Sequence, residues 1–336
     1  NTAIEINPEF SIAYANRGSL KLELENYEGA IEDLNIAIEL DPKDEFLVKY
    51  ANRGKAKLEL ENYEGAIEDF NKAIEFDPKD DFSYENRGLA KHELEDYKGA
   101  IEDYNTAIEI NPEFSIAYAN RGNAKQKLEN YEDAIEDYNT AIEINPEFLN
   151  PYVNRGNAKQ QLENYEDALE DYKKAIEINP EFSIAYANRG LVKYYLEDYF
   201  GAIYDYTIYI ELNPRDSWGF RKRGDAKDEL EDNYGAIYDY TKAIEIDPKD
   251  EISFKNRCFT KYKMGMYANA LLDCDKSLSI NPKYGDAYNS RGDINFALGN
   301  KKRACSDYKN AIANGYKSKE KYLESDEGSW CRNMII

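Results

Sequence analysis

An arginine recurs along this chain at Arg17, Arg53, Arg87, Arg121, Arg155, Arg189, Arg223, Arg257 and Arg291. Every interval is 34 residues except the first, which is 36. An aspartate follows each arginine sixteen positions later: Asp33, Asp69, Asp103, Asp137, Asp171, Asp205, Asp239, Asp273 and Asp307. Prolines keep the same period from Pro8 to Pro282, with the one 36-residue interval between Pro42 and Pro78. A fixed period of this size means one supersecondary unit stacked nine times. Such an array grows by stacking and has no single core, so 336 residues do not imply two ordinary domains.

The stretch from Ser115 to Phe148 shows what one unit contains. Residues 115–128 hold no helix breaker. Glu129-Asn130 makes a turn, and Asn130 is suited to cap the next helix, as are Asp96, Asp198 and Asp232 in other repeats. The second helix is expected from Tyr131 to about Ile144, with Ala134, Ile135, Tyr138, Ala141 and Ile142 at helical spacing. Asn145-Pro146 ends it, because proline cannot donate the next hydrogen bond and restrains the residue before it.

The order Tyr118, Gly122, Ala134, Tyr138, Ala141, Pro146 resembles the tetratricopeptide repeat. The alanine after the turn is present in all nine units, and the glycine in all but one, where Cys258 stands. The wording Asn-Arg-Gly, followed by Ile-Glu-Asp-Tyr-Asn, is similar to bacterial members, cyanobacterial ones in particular. The resemblance implies an all-α fold, a right-handed α-solenoid superhelix of helix-turn-helix units. Residues 1–10 would be the second helix of a truncated repeat, 11–316 nine tandem units, and 317–336 a C-terminal cap whose Tyr322, Leu323 and Trp330 cover the last apolar edge. The sequence departs from the family in four places. Arg replaces the usual leucine before the glycine. Lys stands three residues after the glycine, except for Asn295 in the last unit. Two extra residues lie between Pro42 and Asn52, and Tyr209 occupies a position that is small elsewhere.

The net charge of -23 and pI near 4.6 disfavour nucleic acid and anionic membrane, which need a basic footprint. They favour partners with basic segments. Cys258, Cys274, Cys305 and Cys331 show no zinc spacing, and reduced core cysteines in a reducing, cytoplasmic compartment are the expectation. No apolar stretch is long enough for a membrane span. Because Asn1–Pro8 matches the end of a repeat, further chain is expected before it, so export stays open.

Each arginine precedes the close-packed glycine, and each aspartate lies three residues after the close-packed alanine. A partly buried structural ion-pair ladder is therefore expected, with Arg121 and Asp137, Arg155 and Asp171, and Arg189 and Asp205 as examples. No catalytic constellation, glycine-rich phosphate loop, metal cluster or cofactor motif is found, and the lone His92 reads as a surface variation. Function is expected along the concave groove that the resemblance implies, lined by first helices.

The resemblance gives Asn120, Asn154 and Asn188 a role in bonding an extended peptide backbone; bonding between neighbouring helices is the other reading. Asn123, Gln126, Lys127, Asn157, Gln160 and Gln161 form a polar stretch. Leu191, Tyr194, Tyr195, Phe259 and Tyr262 are apolar or aromatic outside the core pattern, the aromatic four being the expected anchors. Trp218, Arg221, Lys222 and Lys255 would form a basic-aromatic patch. It matches the carboxylate clamp of chaperone-binding relatives poorly, since Phe259 stands where that clamp needs asparagine. The expected function is a non-catalytic scaffold holding a peptide or protein segment. The alternative is a self-assembling solenoid, with the exposed N-terminal helix as the contact.

Overall fold

The computed structural model describes residues 2–42, 48–325 and 328–332. Among them every regular element is a helix. The chain divides into two compact bodies, Asn1–Ile178 and Asn179–Ile336. The first holds α1 (Thr2–Ile6) and five helical hairpins: α2 (Ser11–Glu23) with α3 (Tyr27–Leu40), α4 (Val48–Glu59) with α5 (Tyr63–Phe76), α6 (Asp81–Glu93) with α7 (Tyr97–Ile110), α8 (Ser115–Lys127) with α9 (Tyr131–Ile144), and α10 (Leu149–Gln161) with α11 (Tyr165–Ile178). The second holds four more: α12 (Ser183–Tyr195) with α13 (Tyr199–Leu212), α14 (Ser217–Glu229) with α15 (Asn233–Ile246), α16 (Glu251–Lys263) with α17 (Tyr267–Ile280), and α18 (Gly285–Ala297) with α19 (Lys301–Ala313). Short α20 (Ser318–Glu324) and α21 (Ser329–Arg332) follow. Most of the loop that carries the two extra residues lies outside the described residues.

Each hairpin turn reverses through one residue in the left-handed region. Glu occupies it in seven turns, at φ between 58° and 62°, and Gly265 and Gly299 occupy it at 76° and 77°. The next residue caps the second helix where the third helical position is glycine. Asn26, Asn62, Asp96, Asp198 and Asp232 accept the N–H of Gly29, Gly65, Gly99, Gly201 and Gly235. Asn130 does not cap in this way. Asp133 replaces the glycine there, and the Asn130 amide donates to its carboxylate at 2.7 Å. A β-carbon on glycine at this position would meet the capping side chain at 2.8 Å or less, so the bond depends on its absence.

The two helices of a hairpin close on a glycine facing a large side chain sixteen residues on. A β-carbon on Gly122 or Gly156 would lie 2.7 Å from Tyr138 or Tyr172. Gly18 faces Leu34 and Gly54 faces Phe70 in the same way. Tyr209, in its normally small position, is accommodated because Gly219 leaves space for its ring, and its hydroxyl bonds Asp216.

In the eighth repeat this contact is covalent. Cys258 and Cys274 form a disulfide, and Cys305 pairs with Cys331. The expectation of reduced core cysteines is therefore corrected. Cys258 and Cys274 hold the glycine and tyrosine positions, the two points of a hairpin that lie closest. The second bridge ties α21 to α19, where Leu323 and Cys331 pack with Ala304, Cys305 and Tyr308, flanked by Tyr322 and Trp330. All four cysteines should resist alkylation in denatured, unreduced protein. Reduction should cost roughly 2–5 kcal/mol of stability for the loss of a native bridge. Thiol-specific mass tagging before and after reduction checks the first point, and a thermal melt checks the second.

Candidate functional site

Every repeat is built round a buried carboxylate. Nine Arg–Asp pairs join the first helix of a hairpin to its second, with aspartate side chains 0–7% exposed and arginines 14–31% exposed. In the fourth repeat, Arg121 donates from Nε (3.0 Å) and Nη2 (2.6 Å) to the two oxygens of Asp137. Its Nη1 donates at 2.7 Å to Asn105 of the preceding repeat, and its guanidinium lies over the Tyr118 ring at 5.3 Å. Arg155 donates likewise to Asp171 and to Asn139, and Arg189 to Asp205. Burial opposes the ionisation of Asp33, but hydrogen bonds from Arg17 and Lys21 hold its carboxyl below the usual range.

The lysine four residues after each arginine has a role that its identity alone did not suggest. Lys125 meets Asp137 at 2.7 Å, and the same contact recurs in eight repeats. Asn295, which replaces it in the ninth, donates to Asp307 at 3.0 Å. The available signal was the four-residue spacing, which places both cations on one face of the first helix.

Several asparagines of the first helices, Asn52, Asn120, Asn154 and Asn256 among them, bond to neighbouring helices, whereas Asn86 donates to the Phe82 carbonyl of its own helix. Asn120 donates to Glu85, whose carboxyl burial raises above its ordinary range, and Asn154 donates to Asn123. Asn188 also has a partner. The buried hydroxyl of Tyr138 has Asn123 Oδ1 at 2.8 Å and Gln126 Oε1 at 2.9 Å as acceptors for its one proton. Asn157 and Gln160 serve Tyr172 in the same way. Part of the polar stretch thus completes the core.

In the first body a cleft of about 450 Å³ is lined by His92, Asn123, Gln126, Lys127, Tyr131, Asn154 and Gln161. His92 is not a surface variation, since its ring packs edge-on to Tyr97 and both nitrogens are shielded from solvent.

In the second body a cleft of about 290 Å³ is lined by Tyr194, Asp225, Asp228, Glu229, Tyr240, Lys255, Asn256 and Phe259. The expected basic-aromatic patch is corrected. Trp218 packs against the Ala202–Tyr206–Ala226 core alongside Tyr194, Arg221 is paired with Asp250, and Lys222 with Asp225. Carboxylates dominate the cleft. Burial raises the Asp225 carboxyl, and burial reinforced by Glu229 and Asp225 raises the Tyr194 hydroxyl, which donates to Glu229 at 3.2 Å. Tyr195 and Phe259 are exposed, Leu191 is half-buried, and Tyr262 lies beneath Phe259 against the disulfide. At the other end of the chain, Phe10, Ile12 and Leu20 of the α1–α2 edge line an apolar cleft of about 350 Å³.

The ninth residue of the first helix decides whether the core tyrosine is satisfied. Leu89 and Leu191 replace the polar residue in two repeats, and there the buried hydroxyls of Tyr104 and Tyr206 have no partner. Tyr138→Phe should cost about 1 kcal/mol, whereas Tyr104→Phe and Tyr206→Phe should be neutral or stabilising. Urea denaturation of the three variants checks this, and equal losses would refute it.

Tetratricopeptide-repeat family models match residues 115–148 and 150–182, and residues 12–44 and 285–313. A TPR-repeat model matches 54–95 and 88–129. Together the matches cover more than half of the chain. No curated protein matches. Among solved structures, the C-terminal part of a TPR repeat-containing protein from Cytophaga hutchinsonii is 21% identical, with a TM-score of 0.60 over 71% of this chain and 98% of that one. A tetratricopeptide repeat protein from Parabacteroides merdae is 22% identical, with a TM-score of 0.57 over 75% and 99%. The APC/C hetero-tetramer Cut9-Hcn1 is 16% identical, with a TM-score of 0.56, and this chain covers 52% of the chain it matches there. These likenesses agree with the repeat geometry, and the chain belongs to the tetratricopeptide-repeat family.

Proposed function

We propose that this protein is a non-catalytic interaction scaffold that holds a peptide or protein segment along the first-helix face, with the cleft of the second body as its main contact. The observation that carries this reading is that Tyr194 and Phe259 share one cleft with three carboxylates, Asp225, Asp228 and Glu229, against one lysine, Lys255. The chain's own Lys263 lies over the Phe259 ring and pairs with Asp228, the contact that a partner's cation would take or extend. Aromatic faces next to carboxylates suit a lysine or arginine side chain, which gains cation–π and ionic contact together. The net charge of -23 draws the same class of partner and repels nucleic acid. Among the described residues no group of three metal-ligating side chains occurs, and no helix is long and apolar enough to cross a membrane. Origin in a bacterium belongs to the same proposal, whereas a cytoplasmic place, expected from reduced cysteines, loses that ground because all four cysteines are paired.

An array of immobilised peptides of varied charge tests this reading. The full chain should select lysine- or arginine-bearing peptides, and Tyr194→Ala/Phe259→Ala should weaken binding at least tenfold with the helical fold retained, some stability being lost because Tyr194 packs on the Ala202–Tyr206–Ala226 core. Because Asp225 takes its proton at higher pH than an ordinary carboxylate, affinity should fall on mild acidification. Selection of acidic peptides, or unchanged binding by the variant, would overturn the proposal.

A further inference from the structure

The second helices carry a feature that the first-helix cleft does not use. Their second and sixth residues are exposed in the first eight repeats. In the first five repeats these ten positions are acidic at nine, Glu28 and Glu32 being the first pair and Lys98 the exception. In the sixth to eighth repeats they become Phe200 and Tyr204 on α13, Tyr234 and Tyr238 on α15, and Ala268 and Leu272 on α17. The ninth returns to Lys302 and Ser306. The five large apolar side chains are 57–78% exposed, and the glutamates at the same positions of the first five repeats are exposed as well. The core of the same helices stays closed: Tyr206 and Tyr240, two positions beyond Tyr204 and Tyr238, are buried. Large apolar side chains gathered at one register of successive helices mark an interaction surface, unlike scattered ones.

We propose that this outer stripe is a dimerisation surface, occupied by the stripe of a second copy of this chain in a two-fold arrangement. Two observations select that occupant. The first is area. With roughly 150–250 Å² per fully buried aromatic side chain, the exposed parts of the five residues amount to about 600 Å². That is most of the ~800 Å² that each partner of a standard stable interface contributes, before any rim is counted.

The second observation is the sign of the rim. An isologous interface places one patch against itself, so it needs both charges within the patch. Next to the stripe stand Lys242 and Lys276 together with Glu211 and Glu245, and Lys242 already lies between Glu245 and the Tyr238 ring. A surface as acidic as that of the first five repeats would repel its own copy. At the stripe the glutamates that would do so are missing.

Sedimentation velocity of the full chain over a wide concentration range tests this directly. The parent should pass from 38.8 kDa to twice that mass as concentration rises. Phe200→Glu/Tyr204→Glu/Tyr234→Glu/Tyr238→Glu gives these repeats the outer residues that the first five carry, so it should keep the fold. It should weaken dimerisation at least a hundredfold. Tyr234→Ser/Tyr238→Ser is a milder second variant, and Glu64→Ala/Glu68→Ala should leave the mass unchanged. Raising salt should leave the dimer intact or tighten it, because screening removes repulsion between two acidic copies. A parent that stays monomeric throughout would overturn the proposal. So would a dimer that survives both stripe variants, since that would place the contact elsewhere, as at the apolar α1–α2 edge.

Discussion

One carboxylate in each hairpin is taken out of water, and the stack is arranged to compensate it. The aspartate of the second helix meets arginine with both oxygens and, in eight repeats, lysine as well. An isolated charge at such depth would be costly, and removing one partner of such a pair leaves the other uncompensated. In most repeats the same arginine reaches back to the second helix of the preceding repeat, through Asn71, Asn105 or Asn139 in the first body and Thr207 or Thr241 in the second. Closing a hairpin and registering it on its neighbour therefore use one side chain. A slipped register would leave a carboxylate without its cations, so the ladder penalises alternatives more than it adds to the native state.

The close approach that the ladder needs comes from the glycine beside each arginine. Gly122 admits the ring of Tyr138, whose hydroxyl then needs an acceptor, and Asn123 and Gln126 supply it. The disulfide of the eighth repeat is a variant of the same contact, with Cys258 and Cys274 in place of glycine and aromatic ring. Positions on the first helix that seemed free to vary for binding are thus partly committed to the core. This leaves the carboxylates and Phe259 of the second body's cleft, and the outer stripe, as surfaces whose composition packing does not explain.

The period, the hairpin bounds and the Arg–Asp spacing were legible because they repeat, and a residue at a fixed phase in nine copies can have only one structural place. What was missed lies where one copy differs or where a side chain is long. Lysine after the glycine read as a departure from the family, because its reach to a buried carboxylate depends on four flexible methylenes. The cysteines read as reduced because their spacing shows no zinc site or disulfide framework, although the sixteen residues between Cys258 and Cys274 are the separation of the glycine and aromatic ring in contact; the 26 residues between Cys305 and Cys331 carry no such signal. Trp218 and Arg221 read as surface because their neighbours Tyr206 and Asp250 lie in adjoining elements. Tyr204 and Tyr206 are the same residue two positions apart, and only helical phase separates the exposed one from the buried one.

The central claim is that the ladder pair acts as a unit, and a double-mutant cycle on Arg155 and Asp171 in urea tests it most directly. Asp171→Leu should cost roughly 3–5 kcal/mol, since it strands both Arg155 and Lys159, and Arg155→Leu should cost less, since Lys159 still meets the carboxylate. The double change should cost clearly less than the sum, with a coupling of at least about 1 kcal/mol. Additive losses of under about 0.5 kcal/mol each would show that the pair is a surface contact with no hold on the register, and would contradict the account.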